Sequence, residues 1–363
     1  MVKPDVLLDL EKADPAVIDR YLGERSFPVV EPGRATFVFR GAADAVALKP
    51  MIAGFPGTHH FVKVNGHDVW GLELALPDGA RIEYKLEVQR DHHAEWINDP
   101  LNPLVTHNPF GTNSVCRAFG YTVPDFAEVY EGTPTGSFED LFVGSRLGGE
   151  RKITIYLPHG FQRSSSYPLV FVHDGGDFLT FGSMALVLDN LIAWGVIPPL
   201  VAAFSWPGDR LHEYAASEDH AGFVVEEALP RIAADYPISS TRVVMGASLG
   251  AVAALHTAWR RPGSFTGLLL LSGTFAQTPG WGAAQAILGP IADLLHRLEP
   301  SVLPRRVFLS CGTYERMIGE NRYMAQRLQR AGLAVKYAES HDGHTWEAWR
   351  DQLSAGLTWV LPG

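Results

Sequence analysis

Residues 242–256 read Arg-Val-Val-Met-Gly-Ala-Ser-Leu-Gly-Ala-Val-Ala-Ala-Leu-His. The run up to Met245 is typical of a buried β-strand, and the small residues after Gly250 are typical of a packed helix. The Gly-x-Ser-x-Gly between them is a turn so tight that only glycine fits beside the serine, whose hydroxyl it leaves exposed at the helix N-terminus. This succession of strand, turn and helix predicts that Ser248 is a nucleophile.

Two histidines compete for the role of the general base that a serine hydroxyl requires at neutral pH. His341 and His344 both follow the last predicted strand and precede the terminal helix. In enzymes with this Gly-x-Ser-x-Gly turn, called the nucleophile elbow, the triad residues follow the order serine, acid, histidine along the chain. This order places the base near the C-terminus. We choose His344, which opens the helix.

The third triad member is an acid that orients the imidazole. By the same order it belongs on the loop after the strand predicted over 306–310, where Glu315 offers a carboxylate. Asp342 and Glu320 are the alternatives. Asp342 is only two residues from His344, and Glu320 lies at a predicted helix start, where an acid is favourable in any case. We therefore choose Glu315.

An oxyanion hole needs two backbone N–H groups, one after the nucleophile and one from the loop after an earlier strand. Leu249 supplies the first. We assign the second to Gly176 in His173-Asp174-Gly175-Gly176, because paired glycines let the backbone approach a substrate closely. The aromatic candidates for a substrate pocket beside these loops are Phe178, Phe181, Trp206 and Trp346.

The second half of the chain alternates strands with helices. Several of its strands are uninterrupted runs of apolar residues, which is typical of strands covered by helices on both faces of a sheet. We therefore predict an α/β fold with a mostly parallel sheet. The predicted strands are 152–157, 169–173, 200–205, 242–245, 267–271, 306–310 and 335–340, and the clearest helices are 222–235, 249–260 and 322–331. The chemical groups named above follow strands, and parallel sheets gather their sites at that edge.

The first part of the chain has a different pattern. Spaced apolar residues over 5–22 predict a short helix. From 35 to 120, short β-rich runs separated by Gly, Pro, Asn and Asp indicate a small all-β sandwich. We therefore predict three segments: helix and sandwich over 1–120, a linker and domain entry over 121–150, and a catalytic domain over 151–363.

The composition limits the partners and ligands. The 363 residues carry a net charge of −10 without a basic run, which argues against nucleic acid and anionic membranes. No cofactor is implied, and no metal is expected because the 14 histidines and 2 cysteines show no metal-ligand spacing. The chain starts without a signal-peptide pattern and has no membrane-spanning run, so we expect a cytoplasmic protein. The sequence leaves open whether the protein forms a homo-oligomer.

The second half resembles the esterase family of the enterochelin (siderophore) esterases, the feruloyl and acetyl-xylan esterases and the mycolyltransferases, which has the α/β-hydrolase fold. The matching segments are His173–Gly176, Arg210–Tyr214, Gly246–Gly250, Gly312–Glu315 with Asn321, and Gly343–Arg350. The resemblance implies that the acid is Glu315 and that the second oxyanion donor lies next to Asp174-Gly175. We interpret Arg210 and Glu213 as an ion pair that steadies a loop.

The first half is similar, more loosely, to the immunoglobulin-like leading domain of enterochelin-esterase-type proteins. Its best match is Asp99-Pro100-Leu101-Asn102-Pro103. In such proteins this domain packs over the catalytic edge and helps to shape the substrate pocket.

Together the residues predict hydrolysis of a small-molecule carboxylic ester through an acyl-enzyme on Ser248. One alternative is an acyltransferase, in which an alcohol replaces water in the second step. An alternative of another class is a carbohydrate-binding protein with an idle hydrolase half. The complete set of serine, histidine and acid argues against the second alternative, because an idle site has no need of all three.

Overall fold

The computed structural model describes residues 13–52, 54–55, 57–64 and 66–361. Contacts divide the chain into two compact units. The smaller unit comprises Met1–Thr122, Thr313–Arg316 and Ser340–Thr345, and the larger one comprises Val123–Gly312, Met317–Glu339 and Trp346–Gly363. The leading helix predicted over 5–22 begins outside the described residues, which contain helix α1 over Pro15–Gly23.

The smaller unit is a sandwich of antiparallel strands. They are β1 Val29–Glu31, β2 Arg34–Arg40, β3 Ala45–Pro50, β4 His59–His60, β5 Val62–Lys63, β6 Val69–Ala75, β7 Arg81–Arg90, β8 His93–Ile97, β9 Val105–Asn108 and β10 Gly111–Arg117. Within the described residues they form two sheets, ordered β1-β2-β6-β5 and β4-β3-β7-β10-β9, with β8 paired to β7. Both sheets contribute to one core, in which Phe37 packs edge-on against Tyr84. The predicted all-β leading region is confirmed.

The larger unit is built on a mostly parallel sheet. Its strands are β11 Ser137–Gly144, β12 Glu150–Leu157, β13 Tyr167–Val172, β14 Val201–Ser205, β15 Ile238–Ala247, β16 Gly267–Leu271, β17 Arg306–Gly312 and β18 Ala334–Ser340, in the order β11-β12-β14-β13-β15-β16-β17-β18. The pairings from β14 to β17 are parallel, whereas β11 with β12 and β12 with β14 are antiparallel. The predicted α/β fold is confirmed.

Strand β11 lies inside the segment that the sequence predicts as a linker and domain entry, 121–150. It pairs with β12 along its whole length, from Ser137 opposite Leu157 to Gly144 opposite Glu150. Because it is an edge strand, only a short alternation of buried residues, Leu141 and Val143, marks it. The sequence pattern was too weak to predict it.

Helices cover both faces of this sheet. They are α2 Gly175–Thr180, α3 Met184–Ala193, α4 Arg210–Tyr214, α5 Glu218–Gly222, α6 Leu229–Asp235, α7 Leu249–Arg260, α8 Gln285–Arg297, α9 Ile318–Arg330, α10 Trp346–Arg350 and α11 Leu353–Val360, with a π-helical turn over Phe223–Ala228 and 3₁₀ turns over Asp125–Ala127, Gly282–Ala284 and Pro300–Val302. Successive strand residues enter opposite cores, as Phe171 and Val172 do, which explains the solid apolar runs. Among the helices of the described ranges, none has both the length and the apolar character that crossing a bilayer requires.

Candidate active site

Ser248 occupies the sharp turn between β15 and α7. Its backbone has φ 58° and ψ −121°, which a residue with a side chain rarely adopts. The Ser248 amide donates to the carbonyl of Leu271, at the end of β16, over 2.9 Å. A side chain on Gly246 would overlap the backbone of Gly250, so the turn closes only with glycine there. Ser248 is half-buried, and its hydroxyl lies 3.3 Å from that of Thr274.

Two helices begin beside each other at this turn. Leu249 is the first residue of α7, and Gly175 and Gly176 are the first residues of α2. Amides in the first turn of a helix have no acceptor within the helix and are available to an anion. A Cβ on Gly250 would lie 3.1 Å from the Asp174 carboxylate, so the loop before α2 packs on the first turn of α7. The two predicted oxyanion donors therefore lie at neighbouring helix starts.

Asp174 fixes the loop before α2. Its φ is 54°, and its buried carboxylate accepts hydrogen bonds from Nε and Nη2 of Arg210, each at 2.7 Å. Its amide donates to the Tyr214 hydroxyl at 3.1 Å. The prediction that Arg210 pairs with Glu213 is wrong, because the buried carboxylate of Asp174 takes the guanidinium. Glu213 instead accepts from Arg151 at 2.7 Å.

Two buried histidines connect this loop to the rest of the unit. His173 Nδ1 lies 3.0 Å from the carbonyl oxygen of Met245, which can only accept, so His173 carries its proton on Nδ1. Its Nε2 then accepts from Nε2–H of His220, 3.0 Å away. Burial lowers the pKa of His173 to about 4 and the pKa of His220 well below its usual value, so both rings are neutral near pH 7. The pair joins the end of β13 and the middle of α5 to β15.

Glu315 and His344 form a hydrogen-bonded pair in the smaller unit. The distance from His344 Nδ1 to Glu315 Oε2 is 2.7 Å. The Glu315 side chain is 1% exposed and that of His344 31% exposed. A carboxylate on Nδ1 fixes the proton there and leaves Nε2 as the proton-accepting nitrogen. Ser248 belongs to the larger unit.

The competing candidates have other partners. His341 is exposed, and its Nδ1 lies 3.2 Å from a threonine hydroxyl. Asp342 accepts from Arg81 at 3.2 and 3.1 Å. Glu320 lies in the first turn of α9. Of the three candidate acids, Glu315 is the one hydrogen-bonded to the imidazole of His344.

The four aromatic candidates for a substrate pocket differ in exposure. Phe178 is fully buried and packs edge-on against Trp346, so it lies in the core and does not line an open pocket, contrary to the prediction. It occupies the side of α2 that faces the sheet. Phe181 and Trp346 are half-buried, with ring centroids 6.0 Å apart. Trp206 is 40% exposed, and its ring lies against the Cα of Gly176, beside the predicted oxyanion donor.

Comparison with known proteins places the chain in a family. A family model described as "Putative esterase" matches residues 144–360, more than half of the chain. The protein belongs to this esterase family. Membership of this family assigns the protein to the carboxylic ester hydrolases.

Two curated relatives also carry esterase names. The endo-1,4-beta-xylanase/feruloyl esterase of Xylanibacter ruminicola is 24% identical over 289 residues, which are 72% of this chain but 36% of that protein, so the chain spans little more than a third of its length. The acetyl esterase of Caldicellulosiruptor saccharolyticus is 21% identical over 245 residues, 59% of this chain and 85% of that protein.

A solved structure shares the fold of the esterase. The enterobactin esterase of Shigella flexneri, solved in the presence of enterobactin, has a TM-score of 0.73 and covers 90% of this chain and 92% of its own. The two sequences are 22% identical, and the likeness extends to the fold alone.

The loop after β16 supports the site of the esterase and was not predicted to do so. The side chain of Asn321 is hydrogen-bonded to both the amide and the carbonyl of Gly273, at 3.0 and 2.9 Å. The indole of Trp349 donates to the Ser272 hydroxyl at 3.0 Å. Thr274 follows on the same loop and contacts Ser248. The available signal was position, because this loop also follows a parallel strand.

Proposed function

We propose that this esterase cleaves small-molecule carboxylic esters through an acyl-enzyme on Ser248. The observation that carries the proposal is the elbow, in which a residue with φ 58° places its hydroxyl at the N-terminus of a helix. The same turn brings the first amides of α7 and α2 close together. The hydrogen bond between His344 and Glu315 supports the assignment of the base and the acid.

In this mechanism Nε2 of His344 accepts the hydroxyl proton of Ser248 while Oγ attacks the ester carbonyl carbon. The charge of Glu315 stabilises the imidazolium that forms. The carbonyl oxygen becomes an anion and accepts hydrogen bonds from the amides of Leu249 and Gly176. The imidazolium then protonates the leaving alcohol oxygen as the ester C–O bond breaks. Water attacks the acyl-enzyme by the same steps and releases the acid and the free serine.

What the names of the relatives have in common supports the proposed chemical class of the substrate. Their names specify feruloyl, acetyl and enterobactin esters, which share the carboxylic ester and differ in the groups around it. We propose that Trp206, Phe181 and Trp346 contact those groups. A panel of p-nitrophenyl esters of rising chain length, with methyl ferulate and a siderophore trilactone, identifies the preferred acyl group. Product analysis with an added alcohol separates hydrolysis from acyl transfer.

The test of the proposed nucleophile is Ser248→Ala. The variant deletes one hydroxyl of a half-buried residue and little packing, so it is expected to fold normally while kcat for p-nitrophenyl acetate falls by about 10⁴-fold or more. Ser264→Ala, at another half-buried serine, is the matched control and keeps its turnover. A fluorophosphonate probe labels Ser248 alone. Labelling at another residue, or near-normal turnover by Ser248→Ala, contradicts the proposal.

A further inference from the structure

Two short loops of the catalytic half of the sequence pack with the smaller unit. Residues 313–316, which follow β17 and carry Glu315, are called the acid loop. Residues 340–345, at the end of β18, carry His344 and are called the histidine loop. The rest of that unit is the leading part of the chain. The acid and the histidine are therefore held by contacts with the β-sandwich.

Arg81, at the start of β7, makes the main polar contacts with the histidine loop. Its side chain is 2% exposed. Nη1 donates to both carboxylate oxygens of Asp342, at 3.2 and 3.1 Å, and to the Thr345 hydroxyl at 3.0 Å. The Arg81 backbone amide donates to the carbonyl of His341 at 2.8 Å. Arg81 thus binds the loop on both sides of His344.

The guanidinium of Arg81 donates hydrogen bonds to two buried carboxylates, those of Glu83 and Asp342. Nη2 of Arg81 donates to Glu83 at 2.9 Å, while Nη1 serves Asp342. Burial raises the pKa of Asp342 to about 6, and the nearby Arg81 acts in the opposite direction. A buried carboxylate that loses its cation is strongly destabilised. The buried position of Asp342, two residues before His344, therefore depends on Arg81.

The backbone packing in the same unit is equally close. A Cβ on Gly54 would overlap the carbonyl oxygen of Tyr314, and a Cβ on Gly343 would overlap the side chain of Ile52. The Tyr314 ring packs edge-on against Phe55, with centroids 4.9 Å apart. The acid loop and the histidine loop therefore have defined positions against the sandwich.

We propose that Arg81 is a positioning residue that holds His344 in register with Glu315. The inference rests on the proposed function, because it assigns a catalytic consequence to a contact outside the triad. It makes the leading sandwich a part of the machinery that aligns the general base. Its effect falls on kcat more than on KM, because Arg81 reaches His344 through the loop and takes no part in binding the ester.

The test is a graded series at Arg81 with p-nitrophenyl acetate, a substrate small enough to be insensitive to pocket shape. Arg81→Met, which removes the charge, is expected to lower kcat by about 100-fold, since a misplacement near 1 Å has that effect. Arg81→Lys keeps a charge but not the fork of donors, and is expected to lower kcat by about 10-fold. KM stays within about 2-fold in both. Arg90→Met, at the exposed end of the same strand, is the matched control and leaves kcat unchanged.

Thr345→Val provides a second test if Arg81→Met fails to fold. It removes one hydroxyl that bonds Arg81 and Asp342, with little change in volume, and is expected to lower kcat about 3-fold. Proton NMR supplies a readout independent of turnover: the low-field signal of the His344 Nδ1–H is expected to shift or broaden in Arg81→Lys and Thr345→Val. If Arg81→Lys and Thr345→Val both fold with wild-type kcat and an unchanged signal, the positioning role is overturned.

The Ser248→Ala variant distinguishes failure of this inference from failure of the proposed function. If Ser248→Ala loses turnover while the Arg81 variants are normal, the proposed function stands and the positioning role fails. If Ser248→Ala is active, the proposed function itself is overturned.

Discussion

Single residues at the candidate site adopt backbone conformations that are unfavourable in isolation. Ser248 and Asp174 have φ of 58° and 54°. Conformations of this kind cost on the order of 1–3 kcal/mol each and persist where the surroundings hold them. Here the Ser248 amide bonds the end of β16, and the Asp174 carboxylate bonds Arg210. The two strained residues orient the hydroxyl and the first amides of two helices.

At the same scale, Glu315→Gln is expected to lower kcat for p-nitrophenyl acetate by at least ~100-fold. Glutamine can still accept the hydrogen bond from His344, but it lacks the charge that stabilises the imidazolium. In serine proteases the corresponding substitution costs on the order of 10⁴-fold. Steady-state kinetics on the purified variant measures the loss.

The controls for this prediction are the other two candidate acids. Glu320→Gln is expected to remain within ~10-fold of the wild type. Asp342→Asn is expected to do so as well, because asparagine keeps an oxygen that can accept a hydrogen bond from Arg81. Asp342 faces Arg81, and Glu320 lies in the first turn of α9. A collapse of kcat confined to Asp342→Asn would transfer the role of the acid to that residue.

Secondary-structure elements deliver the candidate residues in a regular way. The chain leaves β13 into the loop with the proposed oxyanion donor Gly176, β15 into the turn with the proposed nucleophile Ser248, β17 toward Glu315 and β18 toward His344. Between the first two strands, the neutral pair of His173 and His220 bridges the loop to the carbonyl of Met245. That bridge requires His173 to remain unprotonated on Nε2, so it depends on pH.

Acidification is expected to destabilise the fold through this bridge. The folded-state pKa of His173 is about 4, below the usual 6.5, so neutral His173 stabilises the fold above about pH 6.5 and that contribution disappears as the pH falls toward 4. The contribution is on the order of 3 kcal/mol, since one pKa unit corresponds to about 1.4 kcal/mol. Urea unfolding at about pH 7 and about pH 5 is expected to show a lower free energy of unfolding at the lower pH.

A variant separates His173 from the other titrating groups. In His173→Asn the free energy of unfolding is expected to fall less between the two pH values than in the wild type. His212→Asn, at an exposed histidine, is the control and keeps the wild-type dependence. An identical dependence in His173→Asn and the wild type would refute the role of the bridge.

Across the whole molecule, the features that sequence predicts well are local. The strands of the second half, the elbow and the order of the polar loops all follow from apolar runs and short motifs, and the structure contains those strands and that elbow. The predicted pairing of Arg210 with Glu213 is wrong because Arg210 instead binds the buried carboxylate of Asp174, which lies far from it in sequence. The prediction that Phe178 lines a pocket is wrong because adjacency to a loop does not reveal which side of a short helix faces the sheet.

Long-range packing is the part that the sequence does not encode in any local pattern. Arg81 and Asp342 are 261 positions apart, and neither lies in a motif that refers to the other. The boundary between the units likewise follows contacts: residues 313–316 and 340–345 join the leading part of the chain although they are separated from it in sequence. A division of the chain into consecutive segments cannot represent this arrangement.

The central claim is that ester cleavage passes through a covalent acyl group on Ser248, and trapping that intermediate tests it most directly. Wild-type enzyme mixed with p-nitrophenyl acetate and quenched in acid within the first turnover is digested and analysed by mass spectrometry. We expect an acetyl group on the peptide that contains Ser248, and on that residue alone. An acetyl group found reproducibly on another side chain, or rapid turnover with no acylated peptide together with undiminished activity of Ser248→Ala, would contradict the account.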